Sequence, residues 1–290
     1  MKTTKIILGL ALVFSIYSCS KDENNSFVSA EDAKTSAKID AMNDDVSSLV
    51  EEQEANTYSN AISGKVADAA FSQLTTCATI TRVPAFGTAP TVGQTVTKTI
   101  DFGTGCTLNS GNVVSGKIII TFVFQPQATS HTINYSFVNF FHNGIKFNGD
   151  KTFTRIMIST TANPILHPQV TMNMDMTATL PDGRVYTRVG TRVREIVEGY
   201  GNEIITDNVY KVTGSWVTTT PTGASQTSTI TTPLIVKMSC LVVNKPLIVS
   251  GIITIVRNNT SSTLDFGDGT CDNLAVFTVN GNSYNIVIGN

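Results

Sequence analysis

Residues 170–197 read VTMNMDMTATLPDGRVYTRVGTRVREIV, and this stretch decides the fold class. Apolar and polar residues alternate on both sides of Asp182-Gly183, the period of a strand with one buried face. An Asp-Gly pair between two such runs marks a hairpin. With a two-residue loop, residues 170–181 pair with 184–197. Met172, Met174, Met176, Ala178 and Leu180 then share a buried face with Val185, Val189 and Val193. The opposite face carries Asn173, Asp175, Thr177 and Thr179 beside Arg184, Tyr186, Arg188, Arg192 and Arg194.

The same pattern extends outward from residue 75 to the end of the chain. Asn143-Gly144 joins 133–142 to 145–158 and sets Phe140 opposite Phe147, a stabilising aromatic pair. Further strands are expected at 113–124, 208–219, 233–243 and 247–257. A last hairpin, 274–279 with 283–288, turns at Asn280-Gly281-Asn282. Residues 63–290 thus form an antiparallel all-β domain, a β-sandwich or one large curved meander sheet. No uniformly apolar outward band points to a membrane barrel. Upstream, residues 31–62 form a short acidic amphipathic helix, regular over 31–54, with Ile39, Met42, Val46, Leu49 and Val50 at helical spacing and charged or small residues opposite. This helix is expected to cover one edge of the β domain or to stand as a stalk.

Charge is divided along the chain. Residues 21–54 hold ten acidic and three basic residues, net -7, whereas residues 57–290 hold twelve and fifteen, net +3. The formal total of -2 excludes a generally basic nucleic-acid binder. Four arginines on one strand, with Tyr186 between them and Gly190 leaving a gap, form a candidate anion site: Arg184, Arg188, Arg192 and Arg194 could grip the carboxylates or phosphates of an acidic glycan bidentately. The plainer alternative is a solvent face, with Asp175 opposite Gly190 as local countercharge.

No enzyme signature emerges. There is no Gly-x-Ser-x-Gly elbow, and His131, His142 and His167 lack zinc-protease spacing and are expected on turns or the sheet surface. A carboxylate-based polysaccharide hydrolase stays open through Asp175, Glu195, Glu198, Glu203 and Asp207, since such chemistry needs only two facing acids. No cofactor is implied. Trp216 follows Tyr210, Val212 and Gly214 on one strand face and is expected in the core rather than as a glycan platform.

Cys77, Cys106, Cys240 and Cys271 are an even set suited to disulfides, and an internal repeat favours pairing Cys77 with Cys106 and Cys240 with Cys271. Residues 99–106 read TIDFGTGC and residues 263–271 read TLDFGDGTC. The phrase Asp-Phe-Gly occurs in kinases, but the glycine-rich loop, strand lysine and catalytic loop are missing. The five residues 265–269 also resemble a turn of some immunoglobulin-like surface modules. Asp265, Asp268 and Asp272 form a weak calcium candidate, off EF-hand spacing. Cysteine spacing offers no zinc site.

The N-terminus supplies an address. Lys2 and Lys5 precede an apolar run, residues 6–17, too short to span a bilayer and laid out as a cleaved signal peptide. Residues 16–19, Ile-Tyr-Ser-Cys, resemble the lipobox of bacterial lipoproteins, apart from the bulk of Tyr17. The resemblance implies cleavage after residue 18 and lipidation of Cys19. Residues 20–25, Ser-Lys-Asp-Glu-Asn-Asn, resemble the acidic signal that exports lipoproteins to the cell surface in one group of Gram-negative bacteria, and residues 19–30 would be the tether. The expectation is a lipoprotein anchored in the outer membrane and facing the exterior, with a non-catalytic binding or structural role, a glycan or protein partner and no nucleic acid.

Overall fold

The computed structural model describes residues 27–63, 73–161, 163–202 and 204–289, with side chains of the first stretch described through residue 58. The signal peptide, Cys19, the export-like signal and Glu203 lie outside the described residues. One helix, α1 (Ala30–Ser63), precedes β1 (Thr79–Val83), β2 (Thr95–Asp101), β3 (Cys106–Thr107), β4 (Val113–Val123), β5 (Ser130–His142), β6 (Ile145–Ile158), β7 (His167–Thr179), β8 (Val185–Glu198), β9 (Val209–Thr219), β10 (Ser225–Lys237), β11 (Ile248–Arg257), β12 (Thr260–Asp268), β13 (Leu274–Val279) and β14 (Asn282–Val287). All fourteen strands belong to one open antiparallel sheet, each joined to its successor except that β2 pairs with β4 and β3 adds to β4. Of the two expected β architectures, this is the meander.

The sheet curls around α1. Twelve consecutive helix residues, 39–50, are buried. Bonds to α1 arrive from Lys98 on β2, Lys151 on β6, Arg188 on β8 and Arg257 on β11. A flat sheet could reach only one side of a helix. Ile39, Met42, Val46 and Leu49 join one core with Ile118, Phe140, Phe147, Phe153 and Met172 of the inner sheet face, and each buried side chain contributes about 1.5–3 kcal/mol. The expectation of an edge cover or stalk is thereby corrected. The acidic face of α1 can be enclosed because the sheet supplies cations to meet it.

Antiparallel neighbours send connections alternately to two ends. Tight turns at Asn143-Gly144, Asp182-Gly183, Thr222-Gly223, Asn258-Asn259 and Asn280-Gly281 share one end, where α1 begins and Arg257 donates to Asp32 at 2.7 Å. Asn143 (φ 48°) and Gly144 (φ 78°) adopt the left-handed pair that a two-residue loop between twisted strands requires. The connection from β2 to β4, which carries β3, also lies at that end, and the other long connections occupy the opposite one, where Tyr58, toward the end of α1, stacks on Phe124 with centroids 4.9 Å apart. The disulfides Cys77–Cys106 and Cys240–Cys271 staple opposite ends. Their similar phrases make the same local turn: Asp101 and Asp265 each accept from the N–H two residues on, at 2.9 Å, and Phe102 and Phe266 are buried.

Phe140 pairs with Phe147 as expected. The Asp182-Gly183 hairpin does not keep its expected register: Thr179 pairs with Val185 and Met176 with Arg188. A two-residue loop would need the residue-181 N–H to donate across the closing pair, and Pro181 has none. The loop takes one more residue, closed by Leu180 N–H donating to the Arg184 carbonyl at 2.9 Å. That single step turns every β8 side chain to the other face. Val185 and Val189 are exposed, while Tyr186, Arg188, Arg192 and Arg194 face α1 beside the methionines, and Asp175 stands opposite Val189 rather than Gly190. The expected strand at 233–243 is also corrected: β10 starts at Ser225, and Met238–Val243, held by Cys240, winds into a 3-10 turn. Strands β1, β2, β3 and β12 were not among those expected.

Candidate functional site

The arginine row is the densest chemical constellation among the described residues, and its partners lie on α1. Asp40 accepts from Arg188 Nη1 at 2.6 Å and from Arg192 Nη2. Arg192 Nη1 lies 3.7 Å from Asp44, Arg194 Nη1 lies 3.8 Å from Asp44, and Arg194 Nε lies 3.5 Å from Glu51. Arg188 and Arg192 are 1% and 2% exposed. Gly190 explains how they fit: a Cβ there would come within 2.4 Å of the Trp216 Cα and Cβ, so the missing side chain lets β9 approach closely at Trp216. Arg192 lies over that ring at 4.2 Å, and Arg194 over Tyr210 at 3.7 Å. Trp216 is in the core, as expected.

Around this row the sheet answers the other acids of α1. His142 Nε2 sits 2.8 Å from Asp45, which also accepts from Asn112 at 2.7 Å and Gln73 at 3.0 Å. Glu54 accepts from Arg155 at 2.9 Å and meets His131. Asp32 accepts from Tyr186 at 2.9 Å and from Arg257. Lys151 and Lys98 donate to Asn43 and to Gln53. Burial, reinforced by Arg192 and Arg188, pushes Lys151 down to about 7, and burial beside Arg82 pushes Lys98 down to about 8. Burial raises the Asp44 carboxyl to about 6 against the pull of Arg192 and Arg194.

Two expectations are corrected here. Arg188, Arg192 and Arg194 are neither an open anion site nor a solvent face. The arginines do meet carboxylates, Arg188 and Arg192 sharing one oxygen of Asp40 rather than gripping it bidentately, and those carboxylates belong to the chain's own helix. Of the row only Arg184 stays substantially exposed, held by Asp182 at 2.7 Å and Glu31 at 3.4 Å. The histidines are not surface residues either: His142 and His167 are buried, the latter 3.2 Å from Glu195. His131 is part-buried against Glu54.

The cavity beside the arginine row offers no room for a substrate. The cavity lined by Asn43, Asp44, Glu51, Arg192 and Arg194 measures about 10 Å³, space for one water. Of the acids that left hydrolysis open, Asp175 stands apart: Glu195 pairs in register with Gln169, six residues along β7 from Asp175, or about 20 Å. Glu195 is engaged by His167 and by Lys211 at 3.3 Å, and Asp207 accepts from Asn202. The calcium candidate dissolves into separate turns, with Asp265, Asp268 and Asp272 each accepting from an N–H two residues on. Among the described residues no three His, Cys, Asp or Glu side chains gather as a metal site.

No protein-family model, curated protein or solved structure matches this chain. Function therefore rests on the residues alone. Lys98, Lys151, His131 and His142 were missed as partners of α1, although the split of net charge between 21–54 and 57–290 was their signal.

Proposed function

We propose that this chain is a lipoprotein anchored through Cys19 in the outer membrane, displayed toward the cell exterior, with a non-catalytic binding or structural role. The lysine-led apolar start, the lipobox-like residues 16–19 and the acidic residues 20–25 support the address. The observation that carries the reading is the difference between the two ends of the sheet. α1 begins at the end made of tight polar turns. Cys19 stands eight residues before Phe27, a reach of at most about 28 Å. Strands of thirteen and fourteen residues span about 45 Å, so the far end points away from an anchoring bilayer. That far end carries Phe86, Val92, Ile165, Leu166, Val242 and Val243, each more than half exposed. Apolar side chains gathered at one end suit contact with a partner.

The test pairs two measurements on cells producing the full chain. Labelled palmitate is expected to enter the wild type and not Cys19→Ala. External protease is expected to digest the wild type on intact cells. Absence of label overturns the anchor, and protection until the outer membrane is permeabilised overturns surface display.

A further inference from the structure

A shallow depression of about 300 Å³ opens on the sheet at β4, β5 and β6, lined by Ile119, Thr121, Asn134, Ser136 and Asp150 together with Tyr135 and Lys151, whose side chains are buried toward α1. The sheet bends here for local reasons. Its register shifts between Ser115 and Lys117 and between Ser136 and Phe140. Gly149, at φ 120°, brings β6 against β7 where a Cβ would stand 2.3 Å from the Asp175 carbonyl.

The lining alternates donors and acceptors. Asn134 Oδ1 accepts from Thr152 Oγ1 at 3.0 Å, which fixes the amide and leaves its Nδ2 hydrogens as donors. Thr121 and Ser136 offer hydroxyls, Asp150 offers a carboxylate, and Ile119 is an apolar patch. Asp150 pairs in register with Asp175, and neither forms an ion pair among the described residues. Like charges directly opposite oppose folding, so this pair is kept against its own electrostatics. An unbroken row of hydroxyl and amide residues runs through the depression, from Thr97 by Thr121, Asn134, Thr152 and Asn173 to Ser283, one residue per strand at about 4.8 Å intervals.

We infer that this depression binds a neutral saccharide, with the polar row as the track for a longer chain. Adjacent sugar hydroxyls need donor and acceptor side by side, as Asn134 and Asp150 provide, and the two aspartates repel an acidic glycan. The inference rests on the binding role proposed above and names its ligand class. It does not depend on lipidation, so the two can fail separately.

The experiment uses purified full-length Cys19→Ala chain in native gels containing dextran, laminarin or mannan, with alginate as the anionic control. Retardation is expected by at least one neutral polymer and not by alginate. Asn134→Ala and Asp150→Ala, each checked for wild-type circular dichroism, are expected to weaken it about five- to tenfold, the effect of one lost hydrogen bond to ligand. Arg184→Ala is expected to leave it unchanged. No retardation by the three neutral polymers, retardation by alginate alone, or wild-type binding by Asp150→Ala overturns the inference.

Discussion

The two faces of this sheet are made by the same strands and differ in the opposite sense from most sheets. The outer face, exposed to solvent, is a field of threonine, serine, asparagine and valine with few charges. The inner face, shielded from solvent, holds Lys98, Lys151, Arg188, Arg192, Arg194 and Arg257. The difference teaches that burial of charge depends on what lies opposite. Here α1 brings Asp32, Asp40, Asp44, Asp45, Glu51 and Glu54 to the same interior. Two charged surfaces that would each lose their solvation are enclosed only together.

This comparison can be broken most forcefully at Asp40. Asp40→Ala leaves Arg188 and Arg192 buried without their carboxylate and is expected to cost about 3–5 kcal/mol in urea unfolding. Replacing Asp40, Arg188 and Arg192 together by Leu, Met and Met should recover most of that loss, because the desolvation of the whole triad disappears with it. Next, Gly190→Ala forces a methyl onto Trp216 beneath two guanidinium groups, and a loss of about 3 kcal/mol is expected from thermal unfolding.

A pH scan sharpens the contrast further. Lys151 loses its proton near 7 when folded and near its ordinary 10.5 when unfolded, so across that window the unfolded chain holds more protons. Stability from this group therefore rises as pH rises from 7 toward 10, by about 3–4 kcal/mol. Lys98 adds in the same direction above about 8. Lys151→Met should flatten most of the slope in urea midpoints measured between pH 7 and 10. The smallest effect belongs to the outer face, where Asp175→Asn relieves the repulsion from Asp150 and is expected to raise stability by about 0.2–1 kcal/mol. A cost above 1 kcal/mol there would show that the outer face is not the lightly coupled surface described.

Much of the fold was legible because it is local. Asn143-Gly144 dictated a two-residue turn and hence the pairing of Phe140 with Phe147. Cysteine parity and the repeated Asp-Phe-Gly phrase pointed to both disulfides. The Asp182-Gly183 hairpin misled through one residue, since Pro181 cannot close the loop that Asp-Gly suggests, and the error carried the whole arginine row to the wrong face. The candidate site was half visible: the residue types and their pairing with carboxylates were apparent, but not that the carboxylates were forty to fifty residues from the N-terminus on the chain's own helix. The depression around Asn134 and Asp150 left no trace in the sequence, because bulges and cross-strand neighbours create it.

By itself the sequence determined that this is a strand-rich antiparallel domain behind one acidic helix, because alternation and turn chemistry act over a few residues. Tertiary structure alone decided that the sheet curls around that helix, that arginines point inward, and that a hydroxyl row lines the outside. Those outcomes depend on register and on pairing between charges more than a hundred residues apart, where a single added turn residue exchanges inside for outside.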